Sequence, residues 1–268
     1  MATNDTTDRA MLNSIVTVYA KEVNGHYRLF NSTQYHKLKW DKINTGHITY
    51  YTHPEHQFNL QEAQKMEAFN TELAGKYGVE PIQFDYFVSN YSREILQAQG
   101  YDYHSRKYLA VQSGGLADIY NGVIYAGNNS EYYPHEVVHL YNHRVAPFQS
   151  HSWIDEGIAT FLGGSTGYDL EWHIKKLRSF LDENPIFSFD SLEELNTDIP
   201  NGEHTTNFKY VIGGLICKRI FEKEGMKGLL DAIQFGRSDE EFESLLQIKL
   251  GIGIEGLEEF VRSECRNR

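Results

Sequence analysis

His135, Glu136 and His139 stand at a spacing that can bind a cation and move a proton. In the run His135-Glu136-Val137-Val138-His139 the two histidines are four residues apart, and on a helix such residues share one face. Their imidazoles can converge on one ion while Glu136 projects beside them without taking the same ligand position. Zn²⁺ suits this pair, because it accepts neutral imidazole nitrogens at about 2.0–2.1 Å. A third protein ligand with one position left open makes such a site catalytic.

Spacing alone does not decide the matter. With 12 His and 24 Glu in 268 residues, a shuffled chain of this composition contains the pattern about one time in twenty by simple counting. Context adds weight: Tyr132, Tyr133, Val137, Val138 and Leu140 give the helix apolar flanks, and a strand hairpin precedes it. Once buried, two histidines beside a glutamate carry a desolvation cost that a bound cation offsets. A second run, Trp153-Ile-Asp-Glu156-Gly-Ile-Ala159-Thr-Phe-Leu162, lies downstream, with sixteen residues, 140–155, between His139 and Glu156. That length can end one helix near Pro147, turn, and start another packed against it. Glu156 then falls in the first turn of the second helix, and Gly157, Ala159, Gly163 and Gly164 are small enough for close helix approach. A carboxylate there completes a His2Glu set. Its other reading is a helix N-terminal carboxylate favoured by the dipole, a role open equally to Asp155.

The two runs together, HExxH followed by W-x-x-E-G-x-A, resemble the gluzincin zinc metallopeptidases, most closely the peptidase MA-like families, over about His47 to Ile233. The resemblance implies a zincin-like α+β fold, one Zn²⁺ per chain held by His135, His139 and Glu156, and Glu136 as the base that takes the water proton. Aminopeptidase N-like gluzincins carry a Tyr-x-x-Gly on a later helix. Here Tyr210-Val-Ile-Gly213 matches it, which implies that the Tyr210 hydroxyl stabilises the transition state. No Gly-x-Met-Glu-Asn run, the amine anchor of those aminopeptidases, occurs, so the implied activity is hydrolysis of peptides or proteins without strict aminopeptidase character. In such a mechanism the metal acidifies a water and polarises the scissile carbonyl, Glu136 passes the proton to the leaving amine, and a phenol near the oxyanion contributes a few kcal/mol. The hairpin strands around Ala117–Tyr120 or Val123–Ala126 could pair with an extended peptide through their main chain.

The elements that must position these residues are legible from period and punctuation. His26–Phe30 and His47–Thr52 read as short strands separated by turn residues, forming a small sheet or meander. Ala63, Met66, Phe69, Leu73 and Tyr77 mark an amphipathic helix capped by Asn59 and stopped at Gly78. A strand over Ile82–Val88 and a short helix over Ser92–Gln99 follow. Leu116–Tyr120, Asn121-Gly122 and Val123–Tyr125 read as a hairpin. Helices are predicted from about Glu131 to Val145, Ile154 to Leu162, Asp169 to Asp182, Asn207 to Lys223, Met226 to Phe235, Ser238 to Lys249 and Ile254 to Cys265, with Ser238 and Glu241 as a capping box. Strands first and helices afterwards predict an α+β protein without βαβ alternation. It divides into a polar tail and lead-in (1–25), a β-rich lobe (26–130) and a helical lobe (131–268), with the active-site cleft expected between the lobes.

Composition sets outer bounds. The chain's 31.0 kDa is ample for a core without disulfide staples, and 18 Tyr, 15 Phe and 3 Trp are an aromatic load that disordered chains lack. A net charge of -12 repels phosphate backbones, so nucleic acid is not expected as a partner. The most apolar stretch, Val211–Cys217, is far short of the roughly 20 residues of a membrane span. Met1–Arg9 has no cationic head and no apolar segment, hence no secretory signal; a mature exported chain can begin the same way, which leaves the compartment open. Cys217 and Cys265 can form at most one bridge.

Bland readings apply to most other candidates. Tyr210 is one of 18 tyrosines, most of which belong in a core. His204, in the polar loop Asn196–Thr206, is a second candidate oxyanion donor. His143 and His151 read as solvated or supporting groups, Trp153 as packing for the Glu156 helix, and Lys175-Lys176-Leu-Arg178 as a solvated face. His26, His36, His47, His53 and His56 form a metal tract by count only. Two rival functions stand beside the peptidase: an aminopeptidase anchored by Asp118 or Glu131, and a zinc-binding scaffold without turnover, against which the presence of Glu136 speaks.

Overall fold

The computed structural model describes residues 2–4, 10–105, 114–147, 150–189, 191–199 and 206–266. Its strands and helices run β1 (Ala2–Asn4), β2 (Ala10–Leu12), β3 (Ser14–Val16), β4 (Tyr19–Val23), β5 (His26–Phe30), α1 (Ser32–Lys37), β6 (Asp41–Thr45) and β7 (Ile48–Thr52). Then come α2 (Leu60–Tyr77), β8 (Phe84–Val88), α3 (Ser92–Ala98), β9 (Tyr101–His104), β10 (Gly115–Asp118) and β11 (Val123–Ala126). The rest is helical: α4 (Pro134–Val145), α5 (Ser152–Gly163), α6 (Leu170–Glu183), α7 (Phe208–Ile233), α8 (Asp239–Leu250), a 3-10 turn (Ile254–Gly256) and α9 (Leu257–Arg266). The class is α+β, with a β-rich N-terminal region and a mostly helical C-terminal part. The chain forms two compact units, one of Met1–Asn70 with Ile82–Tyr133 and one of Thr71–Pro81 with Pro134–Arg268. Among the described residues, no helix is long and apolar enough to cross a membrane.

The first unit is built on a five-stranded sheet in the order β10-β11-β8-β7-β6. Its centre is parallel: Ile48 pairs with Phe84 and Thr52 with Val88, while Val123 pairs with Asp85 and Ala126 with Val88. Joining parallel neighbours requires a crossover, and α2 supplies it between β7 and β8. The expectation of no βαβ alternation is therefore corrected. The strand and helix signals were each local, whereas the choice of β8 over a hairpin neighbour as partner of β7 is a long-range one. The parallel strands are mostly buried and rich in aromatic and aliphatic residues, as expected of a parallel sheet centre, and Tyr51, Phe87 and Tyr125 stack across one face with centroids 4.9 and 5.3 Å apart. The expected hairpin is present as β10 and β11 in antiparallel register, but β11 lies between β10 and β8. Of the two strands considered for peptide pairing, β11 is internal, and β10 is the terminal strand of the sheet among the described residues.

Residues before His26 contribute strands as well. β4 pairs with β5 through Asn24-Gly25, both in the left-handed region at φ 54° and 78°, the turn that a two-residue hairpin demands. At Asn121-Gly122 the loop is longer, and only Gly122 takes positive φ.

In the second unit α6, α7 and α8 begin on sequence-readable caps. Asp169 accepts from the Trp172 amide at 2.9 Å, Asn207 from that of Lys209 at 2.9 Å, and Ser238 and Glu241 form the expected capping box. α4 starts at Pro134 rather than at Glu131, because proline has no amide to lose at the first helical position. α7 is broken at Gly225, whose φ of 66° is non-helical, which accounts for the two helices expected over this stretch. Cys217 and Cys265 are both buried and unbridged.

Candidate metal centre

The site is assembled from α4, α5 and α7, all in the second unit. α4 brings His135 and His139 to one face, and α5 presents Glu156 from its first two turns. His135 Nε2 lies 3.1 Å from Glu156 Oε2, His139 Nε2 lies 3.5 Å from the same oxygen, and the two Nε2 atoms are 3.2 Å apart. Ligands at about 2.0–2.1 Å from a tetrahedral ion stand about 3.3 Å from one another. The three donor atoms thus already have the separations of a zinc site, and their chemistry, two imidazoles and a carboxylate, fits that ion.

Each imidazole is also oriented correctly. His135 Nδ1 is 2.7 Å from the carbonyl oxygen of Gly164, which can only accept, so Nδ1 carries the proton and Nε2 turns its lone pair to the site. His139 Nδ1 faces Asp155 Oδ2 at 3.0 Å with the same consequence. Asp155 is fixed in turn: Asn142 Nδ2 donates to its Oδ1 at 2.7 Å, and the buried Tyr77 hydroxyl donates to Asn142 Oδ1. Such outer partners set the tautomer of a metal-binding histidine. Asp155, considered at sequence level only as an alternative helix-start carboxylate, has this separate task.

The electrostatics are those of a cation site. Burial alone would raise the Glu156 carboxyl, yet hydrogen bonds to His135 and His139 hold it well below the ordinary carboxylate range. Burial alone would lower the His139 imidazole, yet Asp155 and Glu156 hold it well above its usual value.

Close backbone approach brings α5 and α7 together. A Cβ on Gly157 would stand 2.4 Å from Gly213 O, and one on Gly213 would stand 2.4 Å from Trp153 O. Gly157 therefore serves the contact with α7, and it is Gly163 that abuts α4, where a Cβ would meet His135 N at 2.8 Å. One turn before Gly213, Tyr210 places its ring 5.6 Å from that of His135. Burial, then the negative charges of Glu156 and Glu136, raise the Tyr210 phenol above its ordinary value, so it remains a hydrogen-bond donor at neutral pH. Glu136 is buried beside the ligands on α4. The structure thus brings His135, Glu136, His139, Glu156 and Tyr210 together.

Other candidates fall elsewhere. His204 lies outside the described residues. His151 is buried rather than solvated: it caps α5, stacks on Phe242 at 4.5 Å and faces Asp239 Oδ1 at 3.1 Å. Trp153 packs near Phe242 as expected. In the first unit, Glu131 is occupied by His56 at 2.7 Å and by the Asn59 amide at 2.9 Å. His53, Glu55 and Glu94 form a second group of three possible ligands. There, however, Glu55 is exposed and Glu94 Oε2 already accepts from the Asn90 and Tyr91 amides. One buried residue escaped the sequence altogether: His173 on α6, with Leu170, Ile174, Leu177 and Leu181 on the same buried stripe. Its only signal was an imidazole at a core position.

Neither a protein-family model nor a curated protein sequence matches this chain.

Proposed function

We propose that the chain is a zinc-dependent metallopeptidase of the gluzincin type on a zincin-like fold. The observation that carries this reading is the near-tetrahedral spacing of His135 Nε2, His139 Nε2 and Glu156 Oε2 at 3.1, 3.2 and 3.5 Å, with both Nδ1 atoms tied to acceptors. Zinc bound there supplies Lewis-acid polarisation of a carbonyl and a lowered pKa for a coordinated water. The chain's own groups do the rest. Glu136 accepts the proton of the attacking water and delivers it to the leaving amine. The Tyr210 hydroxyl, kept protonated by burial and by Glu156 and Glu136, donates to the oxyanion as the carbonyl becomes tetrahedral.

The aminopeptidase alternative receives less support, since Glu131 is engaged by His56 and Asn59 and Asp118 by Asn121. The binding-scaffold alternative gives no task to Glu136 or Tyr210. Metal analysis of purified protein tests the centre: about one zinc per chain is expected, lost on His139→Ala. Metal content far below one that does not rise on zinc addition contradicts it.

A further inference from the structure

His173 is fully buried on α6 and uses both ring nitrogens. Nε2 lies 3.0 Å from Ser165 O, a carbonyl that can only accept, so Nε2 carries the hydrogen and donates. Nδ1 is then an acceptor in the neutral ring, and Thr206, itself buried, donates its hydroxyl at 2.6 Å. Burial lowers the pKa of this imidazole, which keeps it in that neutral form.

Both partners adjoin the proposed centre. Ser165 follows Gly164, the residue whose carbonyl orients His135. The turn they begin is tight and unusual: Gly164, Thr166 and Gly167 have φ of 73°, 51° and 85°, and Ser165 and Tyr168 exchange backbone hydrogen bonds at 2.8 and 2.9 Å. A non-glycine residue with such a φ is uncommon and persists where its surroundings fix it. On the other side, Thr206 precedes Asn207, the N-cap of α7, and the first turn of that helix carries Tyr210.

We propose that His173 is a positioning residue that ties the Gly164 turn orienting His135 to the start of the helix carrying Tyr210. One arm, through Ser165, governs how the metal ligand is held; the other, through Thr206, governs where the phenol stands. The inference rests on the reading of the centre as a zinc site with Tyr210 beside it.

The arms separate by substitution in the full chain. H173N loses the donor at the Nε2 position, T206V loses the hydroxyl, and H173Q keeps a donor near Nε2 while losing the Thr206 bond. Zinc affinity is read by competition with a chromophoric chelator, with thermal unfolding as the folding control. H173N is expected to weaken zinc binding about 10-fold, within the range seen when outer partners of a ligand are removed, while T206V and H173Q stay within about two-fold of the parent. H173L, apolar and of similar volume, replaces H173N if that variant does not fold. Parental affinity in the variant lacking the donor, or an equal loss in T206V, overturns the proposal. Peptide hydrolysis is scored separately. In a parent that cleaves peptides, T206V and H173Q lower kcat about 10-fold at constant KM, and an unchanged kcat overturns the Tyr210 arm. A zinc-loaded parent that cleaves nothing defeats the peptidase reading, and the affinity split still decides the role of His173.

Discussion

Asp155 and Glu156, neighbours in sequence, grip opposite nitrogens of His139: Asp155 Oδ2 lies 3.0 Å from Nδ1 and Glu156 Oε2 lies 3.5 Å from Nε2. The first two turns of α5 so provide both a candidate metal donor, Glu156, and the group that orients another, Asp155. Asp155→Ala is expected to leave the helix folded and to weaken zinc binding about 10–100-fold. Competition titration against a chelator measures this, and parental affinity in the variant would remove Asp155 from the centre.

The α5–α7 crossing makes a sharp stability prediction. Gly157→Ala sets a methyl 2.4 Å from Gly213 O, against backbone rather than a yielding side chain. Overpacking of this kind costs about 1–3 kcal/mol, and separating the helices also shifts Tyr210 from His135. Denaturant unfolding should show a lower midpoint, with activity falling further than stability explains. A variant as stable as the parent contradicts the crossing.

These two residues mark how far the sequence was legible. The metal ligands and α4 could be read because the chemistry and the helical period coincide in five residues, and the caps at Asn59, Asp169 and Ser238 act within one turn. Gly157 was recognisable as a close-approach residue, but its partner, Gly213, is more than fifty positions away, and nothing local chooses α7 over α4. The parallel pairing of β7 with β8 escaped for the same reason. His173 was hidden because its partners, Ser165 and Thr206, belong to two loops whose meeting is a property of the folded chain.

Tyr210→Phe tests the proposed oxyanion donor. Loss of one such hydrogen bond costs about 3–4 kcal/mol in the transition state, or about 10²–10³ in kcat, with little change in KM. Stability should fall by no more than about 1 kcal/mol. Equal losses of folding and activity would mark the ring as core.

The first unit has its own pH signature. Burial alone would lower the His56 imidazole, but Glu131 at 2.7 Å, Asn90 at 2.9 Å and Asn129 at 3.0 Å hold it above its usual value. A raised folded pKa means that the stabilisation is fully present below the unfolded value of about 6.5 and is lost as pH rises through the folded one. His56→Gln cannot take up the proton. The stability gap between parent and variant should therefore be wider at about pH 5.5 than at about pH 9, measured by thermal unfolding. A gap of constant size would rule out the charged pair.

The most direct measurement is mass-spectrometric cleavage profiling of a mixed peptide library with the zinc-loaded parent and with Glu136→Gln. The amide keeps the size of the side chain and cannot accept the water proton. Cleavage by the parent and none by the variant, with about one zinc in each, is the predicted result. A zinc-loaded parent that cleaves no peptide, or a variant that cleaves as fast as the parent, would contradict the account.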